Sequence, residues 1–92
     1  MSAIELVMQR QWDAAQRGVL STWTIYDHPL DYPAGFVARR FESGKGNPEP
    51  VPTPDAITAT KLKPLRDCFH RAGLVALARF DADHPNVVEV WL

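Results

Sequence analysis

Residues 43–54 read Ser-Gly-Lys-Gly-Asn-Pro-Glu-Pro-Val-Pro-Thr-Pro, with four prolines and two glycines in twelve positions. Proline lacks a backbone N–H and fixes φ, so this stretch predicts an irregular connection, flexible at its glycines and stiffening towards polyproline II. Neither flank is long enough to bury a core of its own. Residues 1–92 are therefore expected as one domain, with 43–54 as an internal loop rather than an interdomain linker. Pro-x-Pro spacing also occurs in peptide ligands, but it is a weak signal beside the spacer reading.

The segments around that loop carry recognisable periodicities. In 19–27, Val-Leu-Ser-Thr-Trp-Thr-Ile-Tyr-Asp alternates with period two and predicts a strand, with Trp23 and Ile25 on one face and Thr22, Thr24 and Tyr26 on the other. Residues 35–42 predict a second strand. The intervening His28-Pro29-Leu30-Asp31-Tyr32-Pro33-Ala34 makes an ordered hairpin loop. Residues 2–17 predict a helix opened by a Ser2/Glu5 capping box, with Ile4, Met8, Trp12 and Ala15 on its apolar side, Val7 flanking, and Gly18 as its stop. A second helix is expected over 61–72, where Leu62, Leu65, Phe69 and Ala72 share a face, Thr60 caps and Gly73 terminates. Residues 74–80 and 86–92 predict two further strands, turning at Asp81-Ala82-Asp83-His84-Pro85. In the last of them, Val88, Val90 and Leu92 share one side and Glu89 and Trp91 the other.

The element order α-β-β-α-β-β predicts an α+β fold. Its sheet is mainly antiparallel and four-stranded, with the second helix packed on one face and the first (1–18) as a peripheral addition. One short helix covers one face, and the other face must be solvated, covered by helix 2–17, or used for association.

Charge and composition narrow the function. Ten Lys and Arg stand against 11 Asp and Glu, mixed along the chain, so no basic arm attracts phosphate backbones and nucleic acid is disfavoured as a partner. The single Cys68 leaves no intramolecular disulfide and no cysteine-built zinc site. No run is long and apolar enough for a membrane span, and the first residues lack a signal-peptide pattern, so a cytoplasmic location and no membrane partner are expected. Phosphate-loop, nucleophile-elbow and dinucleotide patterns are absent from the sequence. No cofactor, metal or catalytic residue is assigned.

Two groups of residues are candidates for binding. The hairpin loop and its exit gather Asp27, His28, Asp31, Tyr32, Arg39 and Arg40, residue types suited to acid–base work or to an anionic ligand. Turn chemistry explains the same residues without a ligand. The second group is the sheet face carrying Thr22, Thr24, Tyr26, Glu89 and Trp91, with Arg39 or Arg40 according to register. A mixture of Trp, Tyr and Arg is typical of interface hot spots. Asp-His-Pro occurs at both 27–29 and 83–85; two turns built alike is the simpler reading, and no ligand spacing makes it a metal site.

Residues 22–42 carry the pattern Trp-Thr-x-Tyr-Asp-His-Pro…Asp-Tyr-Pro…Val-Ala-Arg-Arg, and the segment Val88-Glu89-Val90-Trp91-Leu92 follows the same relationship. In these residues the chain resembles a group of small uncharacterised bacterial and phage-associated proteins. That group has no assigned activity, so the resemblance implies no role for any residue; it marks the 27–33 loop and the Arg39-Arg40 strand as a signature. The expected function is a small binding or interaction module, a homo-oligomer or a protein's partner, acting through the sheet face and the 27–33 loop. The alternative is a small enzyme or anionic-ligand-binding protein using His28, Asp31, Tyr32 and an arginine.

Overall fold

A computed structural model describes residues 1–44, 46–77 and 86–92, with Asn47 described by its backbone only. Helix α1 spans Ala3–Gln16, followed by strands β1 (Leu20–Asp27), β2 (Phe36–Gly44) and β3 (Asn47–Ala59). Helix α2 (Leu62–Arg71) then leads to β4 (Ala76–Leu77) and β5 (Val87–Trp91). The fold is α+β, with five antiparallel strands in the order β3-β2-β1-β5-β4. The expected turn at 81–85, including Asp83-His84-Pro85, lies outside the described residues.

The fifth strand is a correction to the sequence reading, because β3 runs through most of the segment expected as a loop. Its prolines 48, 50, 52 and 54 fall at every second residue of an edge strand. In an antiparallel ladder alternate residues turn their N–H away from the neighbour, so a proline at an outward position breaks no bond. Pro52 stands opposite Phe41 in this way. Three residues, Thr53, Pro54 and Asp55, lie between the Pro52↔Phe41 and Ala56↔Arg39 pairs, opposite the single residue Arg40. Thr53 closes this bulge by donating its hydroxyl to the Arg40 carbonyl at 3.0 Å and accepting from the Asp55 N–H.

Helix α1 begins as its capping box predicts: Ser2 Oγ accepts from the Glu5 N–H at 3.2 Å. Its buried side is rotated from the expected one. Val7 and Ala14 are fully buried, Ile4 and Leu6 pack against the core, and Met8 and Trp12 face outwards at 52% and 68% exposure. The reason is polar. Gln11 takes the central inward position, donating to the Ser21 carbonyl at 2.9 Å and accepting from the Ser21 hydroxyl and the Trp23 indole N–H. A helix seated by a glutamine is invisible to a search for apolar periodicity. The seat packs α1 against the sheet, one of the placements the sequence leaves open for this helix.

Helix α2 starts one residue later than expected, with Lys61 at the N-cap and no side-chain cap bond, and Pro64 lies in its first turn. Leu65, Cys68 and Phe69 are its buried residues. The Phe69 ring lies 5.6 Å from Trp23 and 5.7 Å from Trp91, so three aromatic rings form the centre of the core. The core joins Val7 of α1, Trp23 and Ile25 of β1, Ala38 of β2, Leu65 and Phe69 of α2, and Trp91 of β5. Both helices therefore lie on one side of the sheet.

The hairpin between β1 and β2 closes tightly onto the end of β3. A Cβ on Gly35 would stand 2.4 Å from the Ala59 carbonyl oxygen and 2.8 Å from Thr60 Cα, so only glycine fits there.

Candidate functional site

With both helices on one side, the other side of the sheet carries no element among the described residues. Residues directly opposite one another in an antiparallel pair share a face, so the strand registers define this free face row by row. Thr24 lies between Arg39 and Val90, with Leu77 beyond Val90. Thr22 lies beside Phe41. Val75 and Leu92 exchange backbone hydrogen bonds at 2.8 and 3.0 Å and extend that row towards β4. Tyr26 lies between Val37 and Val87, both buried.

Most exposed residues of the face are apolar, with the exposed Thr58 opposite Val37 on β3. Leu20, Leu77 and Val75 are 49%, 46% and 67% exposed, and Leu92 lies beside them. A shallow groove of about 330 Å3 runs between Leu20, Tyr26, Phe41, Pro50 and Val90, floored by Thr22 and Thr24. Burial pushes the Tyr26 phenol up from its ordinary pKa, against the opposing pull of Arg39. The phenol is therefore a neutral hydrogen-bonding group at the groove's edge.

Of the residues singled out in the sequence, Tyr26 and Arg39 lie on this face. Three do not, and each is a correction. Trp91 is opposite Trp23 on the helix side, 8% exposed, and is a core residue. Glu89 is opposite Ile25 on the same side; it accepts from Arg66 of α2 at 2.8 and 3.2 Å and from the Trp91 indole at 3.0 Å. Val90 is in turn on the free face. The cause is a bulge: Ile25 pairs with Glu89 but Tyr26 with Val87, leaving Val88 over. An extra residue resets the alternation, so Val88 still packs on the core while the residues after it are inverted relative to a strict period of two.

Arg40 is the third correction. It is 5% exposed and lies beneath α1. Its Nε donates to Asp55 at 2.8 Å, and its Nη1 reaches Ser21 Oγ at 3.1 Å and Glu42 at 2.8 Å. Arg10 adds a second bond to Asp55 at 3.1 Å, and Arg17 grips Glu42 with two bonds of 3.0 and 2.6 Å. The hydrogen bonds from Arg17, joined by those from Arg40, hold the Glu42 carboxyl down at about 2. Burial alone would raise Asp55, but bonds from Arg40 and Arg10 outweigh it and keep the carboxyl below its ordinary range. This cluster binds α1 to the sheet, and its groups are occupied by one another.

The hairpin loop resolves into two pairs. Asp27 bonds His28 Nδ1, and the His28 ring rests edge-on against Phe36 at 5.4 Å. His28 adopts a positive φ of 47°, a turn conformation uncommon outside glycine and asparagine. Asp31 pairs with Arg39, across a depression of about 300 Å3 edged by Tyr26, Pro29 and Leu30. Tyr32 is half-buried in the loop and its N–H donates to the Pro29 carbonyl. The expected cluster of His28, Asp31, Tyr32 and an arginine is thus divided between separate partners. Leu30 at the loop tip is fully exposed.

Among the described residues, no group of three His, Cys, Asp or Glu is placed to hold a metal, and no helix is long and apolar enough to cross a membrane. Cys68 is buried, and burial pushes its thiol above the ordinary value.

No family model matches the chain, and neither the curated proteins nor the solved structures searched contain a match.

Proposed function

We infer that the protein is an interaction module whose binding surface is the free sheet face, with the 27–33 loop at its end. The observation that carries this reading is the placement of α1 and α2 on the same side of a five-stranded sheet. Leu20, Val75, Leu77 and Leu92 are thereby left open beside the groove of Tyr26, Phe41 and Val90. An antiparallel sheet with one solvated side normally alternates polar residues onto it. Here the residues on that side are mostly aliphatic, aromatic, proline or threonine, with Ser43 and one guanidinium among them. Contiguous apolar surface of this kind marks sites of association.

The β3 edge of the sheet supports binding by the face rather than by strand addition, since four of its residues are prolines without a donor. The alternative of an anionic ligand at Arg39 draws less support, since Asp31 of the same chain already occupies that guanidinium.

Photocrosslinking from within the face tests the reading. A benzoylphenylalanine at position 24 should give a discrete adduct in cells, while the same group at the exposed Gln9 of α1 should not. An equal, diffuse pattern from both positions, or none from position 24, would refute the assignment.

A further inference from the structure

We propose that the occupant of the free face is a second copy of this chain, joined sheet to sheet about a two-fold axis near Thr24. The proposal rests on the reading of that face as the binding surface, and goes beyond it by naming the partner.

Three observations select a copy of the same chain. The first is charge. In a two-fold contact each residue meets the vicinity of its own equivalent, so a face with uncompensated charge repels itself. Across the rows through Thr22 and Thr24 the one charged side chain is Arg39, and Asp31 of its own chain neutralises it. A foreign partner bearing complementary charge would have nothing to match, whereas an identical neutral face is fully compatible.

The second is size. The Cα extents are 34 × 32 × 23 Å, and a two-layer molecule is thinnest across its layers. The free face is thus the broad side, and an ellipse on its two axes, an upper bound on what it can cover, encloses about 850 Å2, enough for the contribution of each partner to a stable interface of standard size.

The third is position. Strand β1 is central in the order β3-β2-β1-β5-β4, and Thr24 lies near the middle of β1. Thr22, Thr24 and Val90 occupy the centre of the face and larger residues surround them: Leu77 towards β4, Phe41 towards β3, and Leu20 and Tyr26 at the two ends of β1. Two such faces can approach to the usual separation of packed sheets, about 10 Å, with the bulk of each fitting around the other's centre.

Sedimentation equilibrium of the purified full chain between about 1 and 100 µM decides the matter. The wild-type protein should show twice 10.3 kDa. Thr24→Lys and Val90→Lys, each placing like charges across the axis, should weaken association at least ~100-fold and yield the monomer mass, with far-UV circular dichroism unchanged. Trp12→Glu, on the outward side of α1, should remain dimeric. A wild-type monomer at the top of the range overturns the proposal, and so does a dimer that Trp12→Glu dissociates and both lysine variants leave intact. A wild-type monomer whose position 24 still crosslinks to a distinct protein in cells refutes the dimer alone. Loss of both signals refutes the face as well.

Discussion

Arg39 and Arg40 are adjacent in sequence and have their guanidinium groups on opposite sides of the sheet: Arg39 meets Asp31 on the free face, and Arg40 meets Asp55 beneath α1. The alternation of β2 separates two identical residues into a surface group and an enclosed one. Removing Arg40 leaves Asp55 and Ser21 short of a donor under a helix. Arg40→Met should cost about 3 kcal/mol in urea unfolding, the lower end for breaking an enclosed pair, because Arg10 still reaches Asp55. Adding Asp55→Leu should recover part of that loss, so the double variant is more stable than the sum of the single ones implies.

Trp91, expected on the open sheet face, and Trp12, expected on the apolar side of α1, exchange roles in the structure and should behave in opposite ways. Trp91→Ala empties the aromatic centre shared with Trp23 and Phe69 and should cost about 3–5 kcal/mol, a large part of a small domain's stability. Trp12→Ala touches solvent and should change stability by no more than about 0.5 kcal/mol. Chemical denaturation of both variants beside the wild type measures the contrast.

These tryptophans also show what the sequence conveys. The period of β1 is legible because no irregularity interrupts it: Trp23 and Ile25 are buried and Thr22 and Thr24 partly exposed. The same rule inverted Glu89, Val90 and Trp91, since one surplus residue at Val88 shifts every later position to the other side. The apolar stripe of α1 misled because a glutamine, not a hydrophobe, seats the helix. Strand β3 was hidden for a different reason. Prolines are evidence against an interior strand, and only their spacing of two, from 48 to 54, is compatible with an edge. Of the candidate residues, Tyr26 lies on the face that the period of β1 implies, whereas Arg39 and Arg40 are alternatives in the sequence that only the register of β2 separates.

Acid should loosen α1 before the rest of the core. Glu42 has a folded pKa of about 2 against an ordinary 4.5, through its bonds to Arg17 and Arg40. A carboxyl depressed on folding stabilises fully above its unfolded pKa, and that contribution fades as pH falls from about 4.5 towards 2. Asp55, also depressed, acts in the same direction. The denaturation midpoint should therefore decline over this window, and Glu42→Gln should flatten the decline while lowering stability near neutral pH.

The prolines of β3 should protect against lateral pairing. Pro52→Val restores an N–H on the outer edge with little change in bulk. Native stability should alter little, whereas the rate of thioflavin-positive aggregation at elevated temperature should rise several-fold over wild type. An unchanged rate would show that the shape of the edge, rather than its missing donors, provides the protection.

The one-sided placement of α1 and α2 limits how far any assembly can grow. Two molecules laid back to back would enclose both bare surfaces and turn only helices to the solvent, with no adhesive layer left for a third. Growth would end at a pair without a dedicated terminator, and raising concentration would fill pairs rather than lengthen filaments.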